Sequence, residues 1–399
     1  MRKQQKRVAL IGLPILQSVN NLSNAAIARY AEGVGNWQFI LSAESTVNAF
    51  RYLRTLDCDG AIVRVTTPAM RREALRVRCP VVNVSSWLEN PGVVTVRHDY
   101  GTIGRQAAEH FLEKGYRRFG CVTSPGGWFI QARLNAFLET LRARGLKAAN
   151  FVLRKGPASA DEFTLHTNPI PDGERRRFGE WVRNLQPPAA LMLTDDWDAP
   201  ALMELCREAG LEIPRDLVVI STGVHSEIMP FCKPSLTAAQ EDQLSQARMT
   251  VDTLTALMAG KAAAKSINEV PPLGIVERES TATMAIEDRE VAHAVEFIRS
   301  HAGDGINVSD VIGRARISRV TLERHFREIT GETMHDYIIH QKVRRVQELL
   351  LEQPQRSLQS IAKLCGFPDR RRLNQVFRRV AAKSPANWRR AQPGAQDLL

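Results

Sequence analysis

The stretch Ser357-Leu-Gln-Ser-Ile-Ala-Lys-Leu-Cys-Gly-Phe-Pro-Asp-Arg-Arg-Arg-Leu-Asn-Gln-Val-Phe-Arg378 reads as helix, tight turn, helix. Ser357 and Asp369 are residue types whose side-chain oxygens accept from the free N–H groups of a first helical turn. Gly366 suits the left-handed position after the first helix. Leu358, Ile361, Ala362 and Cys365 recur at i, i+3, i+4 and i+7, and so do Leu373, Val376, Phe377 and Val380. The same unit occurs upstream, between Asn307 and Arg327. There Asn307 caps a helix with Asp310 at its third position, a variant of the capping box. Val308, Val311, Ile312 and Ala315 form its apolar stripe, and Ser318 caps a second helix carrying Leu322 and Phe326. Ile339, Val343, Val346 and Leu350 lie along one longer helix that Pro354 ends. One helical hairpin says little. Two, joined by a long helix and framed by Gly331 and by Pro385-Ala-Asn-Trp388-Arg389, indicate a pair of helix-turn-helix units in an all-helical domain.

Charge points the same way. The chain of 399 residues carries a net +11, and +7 of that lies in residues 288–399. From Gln353 to Arg390 there are ten Lys and Arg against one acidic residue, Asp369. A basic block at one end implies a polyanionic partner, nucleic acid or an acidic membrane. Arg370-Arg371-Arg372 follows directly on the Asp369 cap, where each cation opposes the helix dipole by about 0.3–1 kcal/mol. An anion to be met there accounts for that cost; a solvated basic face is the other reading. The helical period turns Arg370, Arg371, Asn374 and Gln375 outward in the second unit, and Arg319, Val320, Glu323 and Arg324 in the first. Arg suits bidentate contacts to guanine, Asn and Gln suit adenine.

These residues resemble the AraC-type DNA-binding domain, without gaps from about Val308 to Arg389, including Ile361-Ala362, Gly366-Phe367, Phe377, Pro385 and Trp388-Arg389. The resemblance implies double-stranded DNA as partner and the outward residues Arg319, Glu323, Arg324, Arg370, Arg371, Asn374 and Gln375 as its readers. Two departures stand out. The family's usual turn glycine in the first unit is Arg316, which predicts a reshaped turn, and a usual aromatic of the second recognition helix is Leu373.

Residues 8–277 have a different rhythm. Short apolar runs at Val8–Gly12, Trp37–Leu41, Ala61–Val65, Val81–Val84, Val93–Val96, Phe119–Val122, Ala190–Leu193 and Leu217–Ser221 alternate with helix-length segments. The helical segments include Gly101–Lys114, Ile130–Arg144, Gly173–Asn184 and Trp197–Ala209. This alternation predicts an α/β fold with parallel sheets, and the length predicts two lobes sharing a hinge. The expected organisation is a first domain over 1–277, a linker over 278–287 and the helical domain over 288–399. Met1 to Arg7 followed by Val8–Ile15 mimics a signal peptide, but no small-x-small site follows, so a basic tail before a buried strand is expected.

Several stretches resemble the LacI/GalR and periplasmic sugar-binding fold: Asp57-x-Asp59-Gly60, Cys79-Pro-Val-Val82, Val96-Arg-His-Asp99-Tyr, Pro188–Asp195, Ile213–Ile220 and Pro234–Thr237. Followed by an AraC-type domain, this resembles the XylR-type xylose-responsive regulators. The resemblance implies a small sugar effector held by Arg133 and Asp195, with Trp128 as an aromatic face. Each has a plainer reading: Arg133 on a helix surface, Asp195 as a helix cap, Trp128 in loop packing. Asp99 reads as an N-cap. The family's acidic ligand contact after the Leu217–Ser221 strand is Gly223 here, which puts xylose itself in doubt.

No GxSxG, HExxH, phosphate loop or GxGxxG motif is present, and His98-Asp99 and His225-x-Glu227 are isolated. No catalysis, no cofactor and no metal site are expected. Six scattered Cys without a CxxC pair argue against a zinc ribbon or disulfide scaffold and fit the reducing cytoplasm. The expected function is a ligand-responsive, sequence-specific transcription regulator, an activator. It is expected to be homodimeric, to work with RNA polymerase and to have no membrane partner. The alternative is a periplasmic or cytosolic sugar-binding protein without a transcriptional role, which gives residues 288–399 nothing to do.

Overall fold

Val8, Ala9, Leu10 and Ile11 are at most 5% exposed, as a strand covered on both faces requires. The computed structural model describes residues 5–12, 18–35, 37–42, 46–124, 126–155, 169–223, 228–286, 288–353 and 355–390. Pro354, Pro125, Val224 and His225 therefore lie outside the described residues.

The first lobe is a parallel sheet of β1 (Lys6–Ile11), β2 (Trp37–Ser42), β3 (Gly60–Val63), β4 (Val81–Asn83), β5 (Val94–His98) and β11 (Ile267–Val270), in the order β11-β5-β4-β3-β1-β2. The period-2 rule holds along β1. Val8 and Leu10 face Ile27, Ala31, Val251 and Leu254, while Ala9 and Ile11 face Phe50, Leu53 and Met70. The second lobe contains β6 (Phe119–Thr123), β7 (Ala148–Val152), β8 (Ala189–Leu193), β9 (Leu217–Ser221), β10 (Thr237–Gln240) and β12 (Gly274–Val276), ordered β12-β10-β9-β8-β6-β7. Among the described residues, β12 runs antiparallel, against β10. One face of this sheet packs Phe111, Leu134 and Phe137 against Phe119, Cys121, Met192 and Ile220. The other packs Phe151, Phe178, Leu202 and Met203 against Leu191, Leu193 and Val219.

The chain passes between the lobes after His98, after Gln240 and after Val270. The helix Gln243–Met258 leaves β10 yet packs on the first lobe through Ala247, Val251 and Leu254. A hinge of three crossovers results. The residues expected as a linker turn out otherwise. Glu279–Thr281 is a single 3-10 turn whose Ser280 and Thr281 are fully buried. Ser280 donates to the Val219 carbonyl at 2.6 Å, and the Thr237 and Thr281 hydroxyls meet at 2.8 Å. The first compact unit accordingly extends to Ala285, and the second begins at Ile286.

Among the described residues the second unit is all helix: Arg289–His301, Val308–Ile312, Arg319–Thr330, Met334–Glu352, Leu358–Leu364, Arg370–Ala381 and Pro385–Arg390. It has two cores. Val291, Val295, Ile298, Val311, Leu322, Phe326 and Tyr337 make the first; Val343, Val346, Ile361, Leu373, Val376 and Phe377 make the second. Met334–Glu352 supplies both, so it is the spine of the unit. Burying a Phe such as Phe326 or Phe377 stabilises by about 1.5–3 kcal/mol. No helix among the described residues is long and apolar enough to cross a membrane.

Candidate functional site

In an open α/β sheet, ligands sit outside the carboxyl ends of the strands. In the first unit those ends carry a dense polar cluster. Arg133, on the helix Trp128–Arg142, is 3% exposed, so the surface reading of this residue does not hold. It donates to the Thr194 carbonyl at 3.1 Å and to Glu241 Oε1 at 3.2 Å. Its guanidinium lies 4.8 Å from the Tyr100 ring centre and 5.2 Å from that of Phe129. The second Glu241 oxygen meets His98 Nε2 at 3.3 Å. Glu241 follows β10 and His98 ends β5, so this ion cluster ties two of the crossovers to the second lobe. Arg133 Nε and His98 Nδ1 are buried and have no hydrogen-bond partner among the described residues. Burial, and next the Glu241 carboxylate, pushes the Tyr100 phenol above its ordinary range. Ser86 donates to that phenol oxygen at 3.3 Å.

Asp195 is 6% exposed and follows β8. Its carboxylate accepts from the Trp197 N–H at 3.1 Å, closing a tight turn. The helix that follows starts at Ala199, with Asp198 at its cap position, so Asp195 is not its cap. Burial pushes the Asp198 carboxyl up, against the opposing pull of the buried Lys155, whose Nζ stands 2.9 Å away. Trp128 opens its helix, and the Arg97 guanidinium lies 3.7 Å over its ring, so one face of the indole is already taken. Arg97 is held there by Glu269 at 2.9 Å and the Glu89 carbonyl at 3.0 Å. Asp99 accepts from the Thr102 N–H as an N-cap.

The glycine at the family's acidic position has a local cause. A Cβ on Gly223 would stand 2.5 Å from Asp196 Oδ1 and 2.7 Å from the Asp196 N. Asp196 is fully buried, and its carboxylate fills the room a residue-223 side chain would need. Acidity is thus present beside this strand end, but it comes from the loop after β8. Glu241, His98 and Asp196 were not singled out as site residues. His98-Asp99 reads as an isolated pair and Glu241 stands in no motif, and only the topology shows that they converge.

The second unit keeps the helix-turn-helix caps. Asn307 and Asp310 form the capping box, and Ser318, Ser357 and Asp369 accept from Thr321, Ser360 and Arg372 N–H groups. Arg316 is not left-handed: the positive-φ residues other than glycine among those described are Gln186 and Ala382. The turn is instead held by the Arg316 N–H donating to Glu290 at 2.7 Å. The first recognition helix, Arg319–Thr330, is tied to Arg289–His301 by His325, 2.7 Å from Asp288. Burial acts to raise the Asp288 carboxyl, but the His325 bond and two backbone N–H groups outweigh it and hold the carboxyl below its ordinary value.

Arg319, Val320, Arg324, Arg370, Arg371 and Gln375 are exposed, while Glu323 and Asn374 are half-buried. Arg319 is engaged with Glu323 at 3.0 Å, Gln375 with Arg372 at 2.9 Å, and Asn374 with the Arg370 carbonyl at 3.0 Å. Val320 is 76% exposed, an apolar surface suited to a thymine methyl. A cavity of about 300 Å³ in this unit is lined by Glu290, His293, Phe297 and Arg314 and contains none of the candidate residues.

Comparison with known proteins matches residues 108–281 to the periplasmic binding protein-like domain and residues 312–391 to a helix-turn-helix domain. The xylose operon regulatory protein of Escherichia coli (strain K12) is 25% identical over 338 residues, 83% of each chain. The solved structure of the xylose-binding transcription activator xylR aligns over 98% of this chain and all of the other, with TM-score 0.72 and 21% identity. A dimeric Lac repressor aligns over 70% of this chain and 99% of that one, with TM-score 0.54 and 18% identity. The xylose relatives bear the names of a regulatory protein and a transcription activator. A periplasmic-binding-protein-like domain thus precedes a helix-turn-helix domain in this chain, the arrangement of a transcription regulator similar to the XylR-type proteins.

Proposed function

We propose that this regulator is a cytoplasmic homodimer that activates transcription with RNA polymerase when a small sugar of the xylose class binds between its lobes. The observation that carries the effector site is Arg133. A guanidinium held by Glu241 and the Thr194 carbonyl, with its Nε–H unused, is a preorganised donor for a hydroxyl-rich ligand. Asp195 supplies the acceptor and Trp128 an aromatic ring. Trp197, 36% exposed beside Asp195, is a second aromatic at the same strand end. The name of the Escherichia coli relative supports xylose, and the dimeric Lac repressor supports the dimer.

A thermal-shift screen of the full chain against pentoses, hexoses and sugar acids tests this. A sugar at 100 times its Kd raises stability by about 2.7 kcal/mol. Arg133→Ala and Asp195→Asn are expected to lose that shift while retaining DNA binding. A normal response in both variants would place the effector elsewhere.

On DNA, Arg319, Glu323 and Arg324 of one recognition helix and Arg370, Arg371, Asn374 and Gln375 of the other meet successive major-groove segments, about 10–10.5 bp apart on one face. A dimer then protects about four such segments. Arg371→Ala is expected to cost about 1–3 kcal/mol on the cognate site and little on scrambled duplex. Arg378→Ala, exposed in the last turn of the same helix, is expected to act as the loss of a phosphate contact, weakening all sequences alike and lowering the salt slope by about one unit. Binding isotherms at several salt concentrations separate the two; full affinity in the Arg370/Arg371 double alanine variant would remove this helix from the groove.

A further inference from the structure

Cys58 and Cys79 are 21 positions apart, yet their sulfurs lie 3.5 Å from each other. Both are half-buried, whereas Cys121, Cys206, Cys232 and Cys365 are buried. The meeting is built by the sheet. Strands β3 and β4 pair in parallel with Ala61 opposite Val81 and Ile62 opposite Val82. Cys58 and Cys79 precede these strands, in the two segments that lead into β3 and β4, where the pairing holds the segments side by side and both cysteines pack on the same apolar cluster. The Ala61 N–H bond to the Pro80 carbonyl at 2.9 Å extends the pairing to this point. Adjacent strands are about 4.8 Å apart and rise about 3.3 Å per residue, so Cα atoms one residue out of register still fall within the roughly 4.4–6.8 Å separation of disulfides. The segment is also anchored: Asp59 accepts from Lys6 Nζ and from the Arg7 N–H, both at 2.8 Å.

We propose that Cys58 and Cys79 form a reversible oxidation site that takes peroxide-class two-electron oxidants and closes to an intramolecular disulfide. The Cys58 sulfur, as thiolate, attacks one peroxide oxygen; the O–O bond breaks, and a sulfenic acid and hydroxide form. The Cys79 sulfur then attacks the Cys58 sulfur; the S–S bond forms, the S–O bond breaks and water leaves with the Cys79 proton. Two thiols and one hydrogen peroxide give one disulfide and two waters. Burial, and next the neighbouring Cys58, pushes the Cys79 thiol up to about 12, which fits Cys79 as the proton-bearing second partner. The sulfurs must approach by about 1.5 Å to reach bonding distance, a movement within the reach of side-chain rotation. The site lies at the end of the sheet opposite to Asn83 and His98, so closing it leaves the polar cluster in place.

The test uses the full chain, reduced, titrated with hydrogen peroxide, quenched and unfolded in alkylating reagent. The expected result is a fall from six thiols to four, a mass loss of about 2 Da and one peptide pair joining Cys58 to Cys79. Dithiothreitol reverses all three. In Cys79→Ser, Cys58 is expected to trap dimedone as a sulfenic acid, and in Cys58→Ser no pair forms. Six thiols surviving peroxide that oxidises a small dithiol control overturns the proposal. So does oxidation falling on any of the other four cysteines, or a disulfide joining two chains. Since the primary reading is made on the unmodified chain, poor folding of a variant does not obscure it.

Discussion

Glu241→Ala is expected to destabilise the first unit by about 3–5 kcal/mol, the cost of stranding a buried charge. The side chains of Arg133, Glu241 and His98 are 4%, 9% and 2% exposed, so solvent does little to screen them. With Glu241 gone, the guanidinium keeps one acceptor, the Thr194 carbonyl, and His98 loses its partner on Nε2. Replacing a whole buried ion cluster by apolar residues can be neutral, but removing one member is not. Glu241→Gln retains an acceptor for Arg133 without the charge and is expected to fall between wild type and alanine. Calorimetric melting of the full chain resolves this, because the helical unit serves as an internal reference. Equal melting of the first unit in all three proteins would mean that the cluster is solvated and contributes nothing.

Gly366→Ala is expected to unfold or displace the second helix-turn-helix unit. Gly366 has φ +65°, where an alanine is strained by about 1 kcal/mol. Space is the larger problem. A Cβ there would stand 2.7 Å from the Gly305 N, 2.8 Å from the Ala302 oxygen and 2.9 Å from the Gly303 oxygen, all backbone atoms. Backbone yields less readily than side-chain ends, and overpacking of this kind costs about 1–3 kcal/mol. The sum, about 2–4 kcal/mol, is a large part of the 5–15 kcal/mol that holds a typical domain together. Lys342, from the long helix, donates to the Gly366 carbonyl at 3.2 Å, so a shifted turn also loses that tie. The measurement is paired: melting of the unit and affinity for the cognate duplex. Gly366→Asn tolerates the positive φ but not the contacts. If it rescues both readings, strain and not crowding decides.

Most strands legible from sequence bury both faces; β2, at a sheet edge, is legible too, through Trp37, Phe39, Ile40 and Leu41. β1, β3, β4, β6, β8 and β9 read as unbroken apolar or β-branched runs because helices cover them on each side. β7, with Ala148, Ala149 and Asn150, and β11, with Asn268 and Glu269, lie at sheet edges with open faces and lack that signature. β10 and β12 are short, and their register comes from neighbours rather than from their own pattern. The caps of the helical unit were legible one by one, since capping is local chemistry. Convergence was not: Glu241 lies 108 positions from Arg133, and no periodicity links them. Arg133 and Asp195 came from resemblance, and the Arg97 stack on Trp128 came from the structure alone. Apolar strands stop at residue 277 in the sequence, but buried hydroxyls carry the first unit on through Ser280 and Thr281.

The crowding of Gly223 by Asp196 has a consequence for how this pocket can change over generations. The two positions are 27 residues apart in the chain but compete for one small volume, so their substitutions are not independent. A chain that acquires an aspartate at 223 while Asp196 stays in place brings two carboxylates together and overpacks the strand end, a variant that selection removes. A chain that first shortens residue 196 opens the space and makes the second change neutral or useful. The order of the steps is therefore constrained: a larger residue at 223 needs a shorter one at 196 first. Reconstructed intermediates carrying each single change and the double change would show this as sign epistasis in melting temperature, with the Gly223→Asp single variant the least stable of the four.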